Sequence, residues 1–285
     1  MKRPRVACFI PFPKEYKGFG GAERRIPHIF AQLDSGTYDV SIVIVCYGHK
    51  NEIEKEISRY IGETTKVVYI RRSTLAFAHF IRNRYDIVCF PDCVLRTIPA
   101  IWAAILSGSK RVMLMESVNN SSFNFRRNWY NYFFWLNMKS SDHLDCLYPS
   151  CVPGIKAKFP GKVVTVTPSV LPRMDDYQKK KNKQNIIVFA GRLIDQKNPR
   201  LFIDSIALIR DDLRKRGYRC LVCGEGPLKK ALMQYVKKNG WDDFIEFKGY
   251  VNMEEVTPYA KVFCSLQSRD NYPSQSLLEA ISSGC

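Results

Sequence analysis

The feature that most narrows the folds open to this chain is a regular alternation. Short apolar runs rich in β-branched residues recur, each followed by a stretch with helical spacing. Arg5 to Pro11, Tyr38 to Tyr47, Lys66 to Ile70, Tyr85 to Phe90 and Arg111 to Met115 read as strands. Helical stretches fall between them, at about 22–34, 51–61, 74–83 and 94–107. A strand, a crossover helix and a further strand make a parallel pair. The pattern therefore predicts an α/β fold with a doubly wound parallel sheet. In such sheets ligands bind beyond the carboxyl ends of the strands. Gly18 to Gly21, Pro91-Asp92 and Glu116 to Asn120 stand at such ends.

The chain has 285 residues, enough for two domains of ordinary size. The run Lys162 to Ser169 reads as the last strand of a first domain, residues 1–172. Residues 173–185 are polar and carry Lys179 to Lys181, which reads as a basic linker. The alternation then resumes over 186–285, with strands at Asn185 to Ala190, Arg219 to Cys223, Phe244 to Val251 and Lys261 to Leu266.

Charge is unevenly spread. Residues 1–185 hold 29 Lys+Arg against 15 Asp+Glu, and residues 186–285 hold 15 against 12. Most of the net charge of +17 thus belongs to the first half. Such a field attracts a polyanion or an anionic membrane surface. No run approaches the ~18 apolar residues of a membrane span. The basic, then apolar, N-terminus is broken by prolines and is too short for a signal peptide. The ten cysteines are scattered through apolar runs, as in a protein of the reducing cytosol. Cys220 and Cys223 form a C-x-x-C pair inside a strand-like run, with no second pair to complete a metal site. His79 lies in an apolar helical run and reads as a packed, hydrogen-bonded histidine. His28, His49 and His143 show no metal or triad spacing, so no metal is expected.

Residues 122–139 are the most aromatic stretch and hold Arg126, Arg127 and Lys139 without an acid. They suit a helix buried on one face, or an interfacial helix with rings at lipid headgroups and basic groups on anionic lipid. Single-stranded nucleic acid is a weaker fit, because no nucleic-acid fold signature accompanies them.

Three stretches of the second domain carry ligand chemistry. After the strand ending at Gly191, a loop holds Arg192 and Lys197 before Pro199 opens a helix. A guanidinium fork beside a compact ammonium is a clamp for a diphosphate. Cys223-Gly-Glu-Gly-Pro227 is a glycine turn after the next strand. Ser268 to Gly284 opens as a polar loop, with Pro273 where a helix can begin. The amides of Ser274, Gln275 and Ser276 then form an anion site, and Glu279, one turn further in, can accept from a ribose. Phosphate at a helix start with sugar hydroxyls on a carboxylate suits a nucleotide sugar.

These residues resemble a known family. Ser268 to Ala280, S-R-D-N-Y-P-S-Q-S-L-L-E-A, is similar to the donor-site signature of the retaining GT-B glycosyltransferases of the family 4-like group. G-R-L-x-x-Q-K-N, with Arg192 and Lys197, resembles the family's pyrophosphate motif. Gly224 and Gly226 match its G-x-G-P element, and Tyr250 with Val251 the turn that cups the base. Gly18 to Arg24 resembles its G-G-A-E loop, with Gly20 and Gly21 near the donor and Glu23 and Arg24 toward the cleft. One departure is that Asn271 stands where relatives carry a first glutamate, with Asp270 one residue earlier. Another is that relatives continue beyond the donor-site helix, so the chain is expected to be a truncated reading frame.

The resemblance implies two Rossmann-like domains facing a cleft, the second incomplete. It implies transfer of a sugar from a nucleotide diphosphate-sugar to a glycan or lipid-linked acceptor, with retention, in surface polysaccharide synthesis. Arg192, Lys197, Asp270 and Glu279 are the candidates for catalysis. Gly20, Gly21, Gly191, Gly224, Gly226, Tyr250, Val251, Asn271, Ser274, Gln275 and Ser276 are those for donor binding. The nucleotide sugar is a co-substrate, and no cofactor or nucleic acid is implied. A cytoplasmic location is expected, on the inner face of a membrane if the basic half binds lipid. A non-catalytic relative kept as a binding subunit is the main alternative. An epimerase of similar build would need acids such as Asp92 and Glu116 in its cleft.

Overall fold

The computed structural model describes residues 2–15, 18–33, 35–62, 65–91, 94–116, 129–268 and 274–285. Asp92, Asp270, Asn271 and Pro273, singled out from the sequence, lie outside them. The chain divides into two compact units, Met1–Pro172 and Arg173–Cys285.

In the first unit the strands are β1 (Arg5–Pro11), β2 (Asp39–Val45), β3 (Lys66–Ile70), β4 (Ile87–Pro91), β5 (Lys110–Met115), β6 (His143–Cys146) and β7 (Val163–Val166). They form one sheet in the order β3-β2-β1-β4-β5-β6-β7, every pair parallel. Alternation along each strand sends successive side chains to opposite faces. Ala7 and Phe9 with Val43 and Val45 face one layer of helices: α3 (Thr74–Asn83), α4 (Val94–Leu106), α5 (Trp129–Ser140) and α6 (Val152–Lys158). Cys8 and Ile10 with Ile42 and Ile44 face the other layer, α1 (Gly21–Ala31) and α2 (Lys50–Ile57). Both faces are covered, so the strands are apolar on both sides, as buried parallel sheets require.

β6 is absent from the sequence reading. Its four residues, His-Leu-Asp-Cys, alternate polar and apolar instead of forming an apolar run. They are held by pairing on both sides, Leu144 with Met113 and with Val164. His79 meets expectation. Its Nε2 lies 3.1 Å from the Tyr85 hydroxyl, and Asn83 donates to its Nδ1 at 3.2 Å.

In the second unit β8 (Gln184–Ala190), β9 (Arg219–Cys223), β10 (Ile245–Gly249) and β11 (Ala260–Cys264) form a parallel sheet in the order β10-β9-β8-β11. The helices are α7 (Pro199–Leu208), α8 (Arg210–Lys215), α9 (Lys229–Lys238) and α10 (Gln275–Ser282). Phe189, Phe202, Ile203, Val222 and Phe244 centre the core. Cys220 and Cys223 are buried strand residues. β11 is an outer strand, with Lys261 and Val262 exposed.

Residues 173–185 belong to the second unit, although Lys179 to Lys181 stay exposed as the basic stretch suggests. Tyr177 is buried and donates to Glu279 of α10 at 3.1 Å. Lys183 donates to the carbonyls of Ala260 at 2.8 Å and Ser283 at 2.9 Å. The buried ring of Tyr177 and the carbonyls met by Lys183 tie the stretch to the second unit.

Candidate functional site

In the second unit the loop after β8 and the loop after β9 are packed backbone to backbone. Gly191 N donates to Cys223 O at 3.0 Å, and Leu193 N donates to Glu225 O at 2.8 Å. A Cβ on Gly224 would lie 2.0 Å from the Gly191 carbonyl oxygen, and one on Gly226 would lie 2.4 Å from that of Leu193. Gly224 also has φ of 135°. Glycine is required at both places by this crossing, whether or not a ligand approaches. The crossing fixes the loop that bears Arg192 and Lys197.

That loop is tied on its other side to the segment after β11. Asn198 Nδ2 donates to Leu266 O at 2.7 Å, and Ser268 N to Gln196 O at 3.1 Å. Lys197 Nζ donates to Gln267 Oε1 at 2.5 Å. A small cleft results at the carboxyl ends of β8 and β11, lined by Ala190, Lys197, Ser265, Gln267, Ser274 and Ser276. Lys197 is half-buried there. Burial, and then the charge of Arg192, lower its pKa to about 8. Arg192 is exposed, and its guanidinium has no hydrogen bond or ion pair among the described residues.

The start of α10 closes this cleft. Ser274 is the N-cap, and its hydroxyl accepts from Leu277 N at 3.2 Å. The helix thus opens at Gln275, after a serine cap, where the sequence suggested a start at Pro273. Serine satisfies an otherwise orphan amide at that position, which proline cannot do. Ser276 donates through its hydroxyl to Ala190 O at 3.2 Å, locking α10 to the end of β8. Tyr250, exposed, and Val251 follow Gly249, whose carbonyl accepts from Gly224 N at 2.6 Å. Gly191, Arg192, Lys197, Gly224, Gly226, Ser274 and Ser276 are therefore brought to one end of the sheet.

Glu279 has a partner other than the one expected. It is 1% exposed, and Oε1 accepts from Tyr177. The buried face of α10 carries Gln275, Glu279 and Ala280, one turn apart, and packs against the 174–177 turn. A largely separate groove of about 700 Å³ lies between α9 and β10, lined chiefly by Met233, Val236, Ile245 and Phe247 with lysines at its rim. Only its Gly226 end touches the residues named above, so the larger void is not where the charges converge.

In the first unit the glycine turn comes after β1. Gly18 has φ of 84°, Phe19 is buried against Phe12 and Tyr60, and Gly20 caps α1. Sequence reasoning picked out Glu23 and Arg24 here, but the group that holds the turn is Arg25. Its guanidinium forms an ion pair with Glu116, after β5, and donates to Thr167 O at 2.9 Å and Pro168 O at 3.4 Å, after β7. Arg25 and Glu116 are both largely buried. Glu116, a candidate cleft acid in the sequence, is thereby engaged in structure. The signal for Arg25 was its place on the buried stripe of α1 with Ile26 and Phe30. Gln267 and Tyr177 gave no signal.

Comparison with known proteins bears on the second unit and on the fold. Residues 173–285 match the family model "Glycosyl transferases group 1". A 93-residue stretch is 32% identical to the GalNAc-alpha-(1->4)-GalNAc-alpha-(1->3)-diNAcBac-PP-undecaprenol alpha-1,4-N-acetyl-D-galactosaminyltransferase of Campylobacter jejuni. That match covers 32% of this chain and 25% of the relative, so the chain spans about a quarter of the curated protein it matches. Among solved structures, Staphylococcus aureus TarM superposes with a TM-score of 0.75 at 10% identity, over 99% of this chain and 84% of that one. Anabaena Alr3699/HepE, solved with UDP-glucose, superposes at 0.72 with 12% identity, over 98% and 78%. At such identities the structures speak to fold alone. Residues 173–285 thus match the glycosyl transferases group 1 family, in a chain whose fold is that of the solved GT-B structures.

Proposed function

We propose that this protein transfers a sugar from a nucleotide diphosphate-sugar to a glycan or lipid-linked acceptor, with retention, in surface polysaccharide synthesis. The observation that carries the reading is Lys197. It is a cation half removed from water, next to a second cation, and its hydrogen-bond partner among the described residues is the amide oxygen of Gln267. An arrangement of that kind suits an anion, and a diphosphate supplies one. Arg192 and Lys197 then stabilise the charge that develops on the departing diphosphate. The amides of Gln275 and Ser276 add donors. Tyr250 and Val251 border the base, and Asp270 and Asn271 the sugar. A ribose contact by Glu279 requires that its carboxylate exchange Tyr177 for the sugar hydroxyls. Uridine is the base favoured, since HepE was solved with UDP-glucose. A lipid-linked acceptor is favoured by the undecaprenol in the Campylobacter enzyme's name. The basic half of the chain suits the inner face of an anionic membrane.

The test is a thermal-shift panel of UDP, GDP and ADP on the intact chain and on Arg192→Ala with Lys197→Ala. A shift with one diphosphate, lost in the double variant, supports the site. A folded wild type that no nucleotide stabilises overturns it. A second reading, a binding subunit without turnover, is favoured by Asn271 in place of the expected glutamate and by the cover that Tyr177 gives Glu279. It predicts the same nucleotide shift with no release of UDP from UDP-sugars beside any acceptor.

A further inference from the structure

The outer face of the helical layer α3–α4–α5 is built unlike the rest of the first unit. α4 lies between α3 and α5 and contacts both. Its inner stripe, Ala100, Ile101, Ala103 and Ala104, is buried in the core. Its outer stripe should then be polar, as on an ordinary surface helix. Instead it runs Leu95, Trp102, Ile105, Leu106, all exposed, with Trp102 at 64% and Leu106 at 68%. A helix that is apolar on both sides belongs inside a larger core or in lipid. The flanking helices also carry exposed apolar residues, Leu75 and Phe77 on α3 and Tyr132 and Phe133 on α5. Single exposed apolar residues are ordinary, but an apolar outer stripe on a helix whose inner stripe is already buried marks an interaction site.

The charges around the patch identify the partner. Residues 71–84, 94–110 and 129–140 hold no acidic residue. They carry Arg71, Arg72, Arg82, Arg84, Arg96, Lys110 and Lys139. Lys139 reaches back over the Trp135 ring, 5.1 Å from its centroid. A copy of the same surface would repel these cations, and a neutral protein partner would not require the absence of acids over three helices. Aromatic and aliphatic side chains framed by arginine match the headgroup region of an anionic bilayer, with rings at the boundary and guanidinium groups on phosphates. No helix among the described residues is long and apolar enough to cross a membrane, so the contact is with the surface.

We infer that the α3–α4–α5 face docks this protein on an anionic lipid surface, with the α4 stripe Leu95–Trp102–Leu106 inserted among the headgroups. This deepens the proposed function by naming the face through which a lipid-linked acceptor is reached, but its test does not depend on nucleotide binding. Vesicles of phosphatidylcholine, alone or mixed with phosphatidylglycerol, are floated with the intact chain. Two variants are compared with wild type: Trp102→Glu with Leu106→Glu, and Arg72→Glu with Arg82→Glu. All four positions are on the surface, and unchanged melting curves confirm folded variants. Wild type is expected to float with the anionic vesicles and not with phosphatidylcholine alone, less so at high salt. Each variant should partition at least roughly tenfold more weakly. The inference is overturned if wild type ignores anionic vesicles, or if both variants bind as well as wild type. It is equally overturned if wild type is a dimer that Trp102→Glu with Leu106→Glu separates, because a second copy then owns the face. Loss of the UDP shift with vesicle binding intact would count against the donor site and leave this face standing.

Discussion

Arg25, buried, and Lys197, half-buried, are cations at the carboxyl ends of parallel strands, one in each unit, and they are held in opposite ways. Arg25 is compensated, with a carboxylate on one nitrogen and two main-chain carbonyls on another. Lys197 faces a neutral amide oxygen and sits beside a like charge, and its pKa falls to about 8. A buried charge whose partner is present fixes structure. One without a charged partner among the described residues is open to a ligand that brings one. On the proposed function, the two residues separate a group that shapes the fold from one that meets a ligand, though neither spacing nor residue type tells them apart.

The largest expected effect breaks the compensated side. Arg25→Ala leaves Glu116 buried without its cation and frees the Thr167 and Pro168 carbonyls. Loss of one partner of a buried pair costs about 3–5 kcal/mol. Denaturant melts should show that loss, and Arg25→Met with Glu116→Gln should recover much of it, because no charge is then stranded. If Arg25→Ala is neutral, the pair is not what anchors α1.

Lys197→Met sharpens the other side. A native-state pKa below the ordinary lysine value of ~10.4 means that the unfolded chain holds the proton more tightly. The charged lysine therefore costs stability at neutral pH. The apo variant should melt at or above the wild-type temperature, while its affinity for UDP falls roughly tenfold to a hundredfold, as for a lost charge-assisted bond. A variant that melts far lower would place Lys197 in the same structural class as Arg25.

This contrast also shows where the sequence was legible. The alternation of apolar runs and helical stretches located every strand but β6, whose two polar residues hide it and whose place is set by neighbours on both sides. That Arg192 and Lys197 share one short loop was legible, because they lie between a strand end and Pro199. What holds them was not. The crossing of the 191–193 and 224–226 backbones is a contact between loops some thirty residues apart. Gln267 and Tyr177 are ordinary residues given meaning by tertiary position. Glu279 was legible as a residue but not in its contact, because only packing brings the 174–177 turn against α10.

A pH series tests the uncompensated cation without mutation. In the free protein Lys197 loses its proton near pH 8, and a bound diphosphate holds that proton on. Binding above pH 8 then takes up a proton, so affinity for UDP should weaken toward about tenfold for each unit of pH beyond 8. Titration calorimetry between pH 7 and pH 9.5 reads both the slope and the proton uptake. In Lys197→Met the slope should vanish. A slope that survives would belong to another group.

The smallest effect concerns a third cation, one that the fold declines to form. His79 has a lowered pKa, first through burial and then through the charges of Lys66 and Arg5. In the unfolded chain it titrates near 6.5. As pH falls below that value the unfolded state takes up a proton that the native state resists, and stability declines until the native histidine also protonates. His79→Gln can keep a partner for Tyr85 and Asn83 without the proton. Its melting temperature should fall less steeply than wild type between pH 7 and pH 5. An equal slope in both proteins would move the acid sensitivity to groups other than His79.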